Sequence, residues 1–372
     1  MCEKNCRIVM IKVYASSKIK DNVTKALLQD YCWYDPIGFR SYANARVLPW
    51  FPDKRFSGGV VDSSGAYVDS SALHENAYDG SYEYVTNSVE RVDRTAVFLG
   101  TWIGIYGHAI TDNIKKLWFL FTEDYRMLGP DIDLLYCYLG EGDLPVYIKE
   151  ILLALGIAAD SLKRVETVTE YKNVIIPDNS FILSDGQRFY TDSFRTTVSR
   201  IIDNAPTLTA YPEKIYLSRK KSSSFRDYGE AELAETFAQH GFEIVVPEEH
   251  SFLEQVAIFS HCKCLAATEG SIAHNAVFCR PRTGLVILRK SDYINTYQSA
   301  LDAMNSLNVS YIDAHHTVNV SDPWVGPFFI WRTKYLNEYF GETIKEKSRW
   351  LCNMWYKYLV RVFMERVHIF LR

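Results

Sequence analysis

Residues 230–278 read EAELAETFAQHGFEIVVPEEHSFLEQVAIFSHCKCLAATEGSIAHNAVF. The stretch alternates between two patterns. Glu230–His240 has helical spacing and Gly241 stops it; Glu243–Val246 is a short strand. Phe252–His261 is helical again, Cys264–Ala267 is an apolar strand, and Ser271–Phe278 reads as a helix. On either side, Lys214–Leu217 and Leu285–Leu288 are further strands. Strands and helices that alternate at short intervals are the signature of a parallel, doubly wound α/β sheet.

A less regular version of the texture runs back to Thr95. Ala96–Leu99 is a strand, Gly100–Gly107 a loop, His108–Phe121 a helix and Ile132–Tyr138 a strand. Pro145–Leu155 is a helix that Gly156 ends. Val174–Ile176 is a strand before Pro177, and Phe189–Ile202 a helix leading to the expected linker Asn204-Ala-Pro206. Residues 1–95, rich in Tyr, Ser, Gly and Asp, read as short strands and loops. The expectation is an α/β protein with two Rossmann-like domains facing a cleft. They would cover residues 1–206 and 207–320, with a helical amphipathic extension over 321–372.

The chain has 372 residues, which fits two domains at roughly 150 residues each. With 48% hydrophobic and 23% charged residues it is not a disordered chain. A net charge of −4 argues against a general nucleic-acid binder. Aromatic residues make up 14%, which suits aromatic-rich cores and also clefts for flat or sugar-like ligands. A chain of this size needs neither disulfides nor structural metals to fold. The eight cysteines are scattered, mostly in apolar surroundings, and read as small hydrophobes. Met1–Lys20 has no long apolar core of a signal peptide, and no run is long enough to span a membrane. The cytoplasm is the expected location, and the sequons at Asn308 and Asn319 carry no weight there.

Two segments point to an anion site. Lys214-Ile-Tyr-Leu-Ser-Arg219 ends a strand on Ser-Arg, and Arg226 follows seven residues later. Ligands of open α/β sheets bind beyond the carboxyl ends of the strands. Arg219 and Arg226, with Lys220 and Lys221 beside them, would stand where a phosphate binds. A merely solvated basic loop is the alternative. In Ala266-Ala-Thr-Glu-Gly-Ser-Ile-Ala-His-Asn275 a strand runs into a Gly-Ser turn and an expected helix start. Such a start favours an anion. Gly270 would let a ligand approach the backbone, and Ser271 would add a hydroxyl donor. Glu269 repels phosphate but could accept bonds from ribose or sugar hydroxyls. His274 and Asn275 fall in the first turn, where His274 reads equally well as a satisfied, half-buried histidine. Neither the Walker ending nor the Gly-rich dinucleotide fingerprint is present.

The series Ser218-Arg219, Arg226 with Glu230, Gly241–Pro247, Ser251–Gln255 and Thr268-Glu-Gly-Ser with Asn275–Phe278 resembles the donor domain of family 61 glycosyltransferases. Upstream, Gly107-His108-Ala-Ile-Thr-Asp112 before Leu117-Trp118 is similar to that family's His…Asp helix, and Leu155-Gly156-Ile157 to its Leu-Gly-Ile ending. The resemblance covers about residues 96–290. It departs at Glu269-Gly270-Ser271, where the family commonly has His-Gly-Ala.

The resemblance implies a two-domain GT-B enzyme that transfers a sugar, with inversion, from a nucleotide-sugar, usually a UDP-sugar. No metal or other cofactor is expected. Arg219, Arg226, Glu269, Gly270, Ser271, His274 and Asn275 would bind the donor. His108 and Asp112, four residues apart, are the candidates for the base that takes the acceptor proton; their alternative role is to cap the first turn. Asp131-Ile-Asp133 reads as the start of a strand. The expected acceptor is a hydroxyl of a glycan or lipid-linked glycan in surface polysaccharide synthesis. Alternatives are a protein O-glycosyltransferase, a polysaccharide pyruvyl transferase, and a non-catalytic carbohydrate- or nucleotide-binding scaffold, which Glu269 keeps open.

Lys345–Arg372 differs from the rest. Basic residues interleave with Trp350, Leu351, Met354, Trp355, Tyr358, Leu359, Val362 and Phe363 at helical spacing. Such a helix suits an anionic membrane surface, at the inner face of the membrane for a cytoplasmic protein. Docking on the first domain is the alternative.

Overall fold

A computed structural model describes residues 8–54, 56–73, 89–220, 226–318, 325–343 and 353–370, without the side chains of 367–370. Lys221, Asn319 and the basic and aromatic positions 345–350 lie outside the described residues. The protein is mixed α/β and divides into two compact units. One is built on Cys32–Asn204, the other on Ala205–Arg372 together with the segment that ends at Tyr31. The break falls beside the expected linker, but the chain's first strand and helix, β1 (Met10–Tyr14) and α1 (Ser17–Leu27), belong with the second unit.

The first unit contains β2 (Phe39–Leu48), β3 (Gly59–Val61), β4 (Glu90–Ile103), α2 (Tyr106–Ala109), α3 (Glu123–Met127) and β5 (Ile132–Leu139). Then come α4 (Val146–Ala154), β6 (Leu162–Arg164), β7 (Thr169–Pro177), the hairpin β8 (Phe181–Ser184) and β9 (Gln187–Tyr190), and α5 (Asp192–Asp203). Its main sheet has the order β3-β2-β7-β4-β5-β6. β4, β5, β6 and β7 run parallel, whereas β2 is antiparallel to both β3 and β7. The first half is therefore not the fully parallel Rossmann-like sheet expected. β2 lies in the stretch whose polar, aromatic composition shows little strand signal, and it pairs with β7 from Phe39↔Pro177 to Val47↔Thr169. Val47, Val60, Phe98, Leu135, Val174 and Ile176 form the core of this sheet.

Two expected helices change. His108–Phe121 is not continuous: α2 is one turn, and a 3-10 segment follows at Leu117–Phe121. Between them, side chains are committed to backbone elsewhere. Asn113 accepts from the Ile103 N–H at 3.1 Å and donates to the Ile103 carbonyl at 3.0 Å. Buried Lys115 and Lys116 donate to the carbonyls of Leu73 and Pro177. Such bonds compete with helix continuation. α5 begins at Asp192 rather than Phe189, because Thr191 caps it by accepting from the Phe194 N–H at 3.2 Å.

The second unit contains β10 (Lys214–Leu217), β11 (Asp227–Tyr228), α6 (Glu230–Gln239), β12 (Glu243–Val245), α7 (Phe252–His261) and β13 (Cys264–Thr268). β14 (Gly284–Arg289), α8 (Thr296–Met304), β15 (Asn308–Asp313), β16 (Phe328–Phe329), α9 (Lys334–Phe340) and α10 (Asn353–Phe370) complete it. Its sheet, β1-β15-β14-β13-β10-β12, is parallel at every pairing. Leu265, Ala266, Leu285 and Ile287 are fully buried, as parallel strands covered on both faces require. The expected helix Ser271–Phe278 is instead a 3-10 segment, Ala273–Phe278. α10 packs through Trp355 and Tyr358 on Phe329 and Trp331, so its inner face docks on the second unit and not on the first. No helix among the described residues is long and apolar enough to cross a membrane. Cys32 is disulfide-bonded, unlike the buried, free Cys137, Cys262 and Cys279, so not every cysteine is the small hydrophobe expected.

Candidate active site

In the second unit the chain leaves β10 outward to β12, then returns to β13 on the opposite side of β10. Connections that part in opposite directions mark the switch point of a parallel sheet, where ligands bind outside the carboxyl ends. Arg219 follows β10 there, and Glu269-Gly270 follows β13. Gly270 has φ +119°, a conformation that side-chain-bearing residues avoid. A Cβ built on it would stand 3.6 Å from Lys290 Nζ and 3.9 Å from Arg219 Nη1. Two cations therefore converge on one bare stretch of backbone.

Asp227 holds these cations. Its two carboxylate oxygens lie 3.2 and 3.4 Å from Lys290 Nζ, and one lies 3.6 Å from Arg219 Nη1. The β11–β16 ladder fixes Asp227, with the Phe328 N–H donating to the Arg226 carbonyl at 2.8 Å. Lys290 lies 4.4 Å above the Phe328 ring. Burial lowers its pKa, Asp227 opposes that shift, and Arg219 adds to it. Glu230, at the start of α6, takes the Arg219 N–H at 3.4 Å and helps shape the turn after β10.

The residues expected at the donor site are distributed unevenly. Arg219, Glu269 and Gly270 lie at the switch point, and Ser271 follows in the half-buried turn. Arg226 is half-buried, and its guanidinium makes no ion pair among the described residues. Glu269 is buried; burial raises its pKa against the charges of Arg289 and Lys290, and the Lys290 and Asn295 N–H groups bond it. His274 is buried as well, with Nδ1 2.9 Å from Gln298 Oε1. Gln298 donates in turn to Asp302 at 2.7 Å, and Tyr311 donates to the other oxygen of that carboxyl at 2.8 Å. Asn275 donates to the Ile272 carbonyl within its own turn. Neither His274 nor Asn275 is among the residues around the cations. Because the 3-10 segment is six residues long, its dipole adds little, and the positive field comes from side chains.

In the first unit, α2 and the turn after it carry the other candidate pair. His108 Nδ1 and Asp112 Oδ2 are 2.6 Å apart. The Asp112 side chain is fully buried and that of His108 is 27% exposed, so only the histidine meets solvent. Burial alone would raise the Asp112 carboxyl. The His108 bond and the charge of Arg188 outweigh it and, with Lys115, hold the group well below the usual carboxylate range. Arg188 Nη1 and Lys115 Nζ lie 3.9 and 3.8 Å from Asp112 Oδ1. A carboxylate whose pKa is lowered, beside Nδ1, favours the tautomer with the imidazole proton there and the basic lone pair on Nε2.

Asp133 of the Asp131-Ile-Asp133 run is buried at the start of β5. It pairs with Arg94 at 3.1 Å and Lys163 at 2.7 Å, and accepts from the Tyr171 hydroxyl at 3.2 Å. Its oxygens are committed to structural partners.

Residues 106–286 match the family model of glycosyltransferase 61. The chain carries a family 61 glycosyltransferase domain. The match begins at α2 with its His–Asp pair, crosses the junction between the units, and ends within β14. No curated protein matches the chain. The glycosyltransferase thus has two clusters of chemistry-bearing residues that its sequence shows only in part. Lys290, Asp227, Lys115 and Arg188 were not among the expected site residues. The signal for Lys290 was its place directly after the β14 strand, at a carboxyl end. Arg188 gave none, because it lies in a hairpin at the edge of an expected helix.

Proposed function

We propose that this enzyme is an inverting, GT-B-type glycosyltransferase. It would move a sugar from a nucleotide-sugar, in the simplest case a UDP-sugar, to a hydroxyl of a glycan or lipid-linked glycan in surface polysaccharide synthesis. The observation that carries the reading is the convergence of cationic side chains on Gly270 at the switch point of the parallel sheet. A diphosphate leaving group needs this charge as the bond to the sugar breaks. In the proposed reaction, His108 Nε2 takes the proton of the acceptor hydroxyl, and Asp112 stabilises the imidazolium that forms. The acceptor oxygen bonds to the anomeric carbon from the face opposite the leaving group. The electron pair of the broken bond goes to the diphosphate, where Arg219 meets it. Arg226 adds a second guanidinium on the approach. Saturation-transfer NMR against a panel of nucleotide-sugars, followed by transfer assays with the binder, tests this. Binding without hydrolysis or transfer to any acceptor favours the scaffold alternative.

A membrane-linked acceptor is favoured by α10. Its outward residues Tyr356, Val360, Phe363 and Met364 are 50 to 65% exposed. They recur every three or four positions and share one side of the helix, opposite the docked Trp355 and Tyr358. Lys357, Arg361 and Arg366 accompany them, against Glu365 as an acid. An apolar stripe with basic flanks fits an anionic lipid surface. Co-sedimentation with anionic but not neutral liposomes is the expected outcome. Equal recovery in the supernatant with both would overturn it.

A further inference from the structure

We propose that Lys290 is a leaving-group residue: with Arg219 it binds the diphosphate of the donor over Gly270, and Asp227 is the resident anion that both cations exchange for it. The inference rests on the second unit being the donor unit.

The placement of Lys290 is the first argument. It directly follows β14, at the carboxyl end of a strand one position from β13. Its side chain is 7% exposed, yet its ammonium stands 3.6 Å from the position a Cβ on Gly270 would take. Gly270 presents no side chain to either cation. The loops after β13 and β14, with Phe328 of β16, line a small cavity there, among them Glu269, Gly270, Lys290, Tyr293 and Asn295.

Charge is the second argument. Arg219 and Lys290 share one carboxylate, Asp227, at distances of 3.2 to 3.6 Å. Among the described residues Asp227 is the one carboxylate in ion-pair distance of both cations. Glu269 forms no ion pair with either cation among the described residues; its carboxyl accepts from the backbone N–H groups of Lys290 and Asn295, and burial raises its pKa. A buried lysine with a shared counter-ion gains more from a second anion than a solvated one would. A purely structural lysine–aspartate pair has no need of an open glycine between the cations.

The chemistry follows. As the anomeric carbon–oxygen bond breaks, the pair stays on the terminal diphosphate oxygen and raises its charge by one. Lys290 donates to the diphosphate and strengthens that bond as the charge grows, so it lowers the barrier as well as the dissociation constant. The proton released by the acceptor goes to the base, so the step asks no proton of Lys290.

The test titrates the full chain with UDP, GDP and dTDP and with the matching monophosphates. The wild type should bind one diphosphate more tightly than its monophosphate. Lys290→Met should weaken that diphosphate about 10- to 100-fold, as expected for a lost charge-assisted bond, and leave the monophosphate within about threefold. Asp227→Asn should bind the diphosphate at least as tightly as the wild type, because it removes the competing anion; a structural pair predicts loss in both variants. The double variant Lys290→Met with Asp227→Leu removes both charges together. It should retain the fold and the low diphosphate affinity. Wild-type diphosphate affinity in Lys290→Met or in the double variant overturns the role of Lys290 and leaves the donor reading standing. Weaker diphosphate binding in Asp227→Asn overturns the exchange. Failure of the wild type to bind any nucleoside diphosphate overturns the donor reading and this inference together.

Discussion

The two units place charge inside the protein in different ways. In the second, Asp227, Arg219 and Lys290 meet at the rim of a parallel sheet, around a glycine left bare. In the first, Asp112, Lys115 and Arg188 lie deep in a mixed sheet's surroundings, and only His108 meets solvent. The first arrangement holds one protonation state in one geometry. The second sets two cations on one carboxylate. Acid–base work needs the former and anion binding the latter, and the proposed transfer draws on both.

Removing the histidine tests the first arrangement hardest. His108→Ala should cut transfer by about 10²- to 10⁴-fold while the nucleotide still binds, measured by transfer kinetics and titration side by side. Wild-type turnover in this variant removes the base assignment. Asp112→Asn should lose transfer to a similar extent and also cost about 3–5 kcal/mol of stability, read from denaturant unfolding, because Arg188 and Lys115 would keep buried charges without their carboxylate.

The second unit should break at its backbone rather than at a base. Gly229 has φ +99°, and a Cβ on it would stand 2.1 Å from the Ile330 carbonyl oxygen. Gly229→Ala should therefore destabilise the protein by on the order of 3 kcal/mol and displace the β11–β16 ladder that holds Asp227. Unchanged thermal stability would show that the ladder adapts.

Asp302 gives a smaller, pH-dependent effect. Burial raises its pKa to about 7, against the bonds from Gln298 and Tyr311. The folded value exceeds the unfolded one, so its contribution is complete below about pH 4 and is lost as the pH rises towards 7. Asp302→Asn should leave stability near pH 4 almost unchanged and raise it at pH 8 by on the order of 1–3 kcal/mol, checked by urea unfolding at both. The same gain at both pH values would remove the carboxyl's titration as its cause.

The smallest effect on folding belongs to the outward face of α10. Val360→Glu with Phe363→Glu should change stability by less than about 0.5 kcal/mol per site but abolish sedimentation with anionic liposomes. Retained sedimentation places the lipid contact elsewhere.

The second unit was the more legible one, for a physical reason. Its strands are buried on both faces and read as apolar runs between helices, so Lys214–Leu217 and Phe252–His261 carry their bounds in the sequence. Arg219 and Gly270 then follow from the rule that ligands bind at carboxyl ends. In the first unit, β2 presents a half-polar strand to a partner about 130 residues away, and no local period marks it. The four-residue spacing of His108 and Asp112 did survive there. It needs only a tight turn of chain, and the turns that follow α2 supply it even though the longer helix fails.

By itself the sequence determined the alternation of strand and helix, the carboxyl-end position of Arg219 and Gly270, and the reach of His108 to Asp112. These are short-range properties, set by periodicity, capping and turn chemistry within a few residues. Only the tertiary structure decided that β1 lies against β15, from Met10↔Asn308 to Tyr14↔Ile312. It also decided that β2 reverses the first sheet and that Lys290 meets Asp227 across 63 residues. Pairings of that span depend on which surfaces are buried together, and burial is a property of the whole fold.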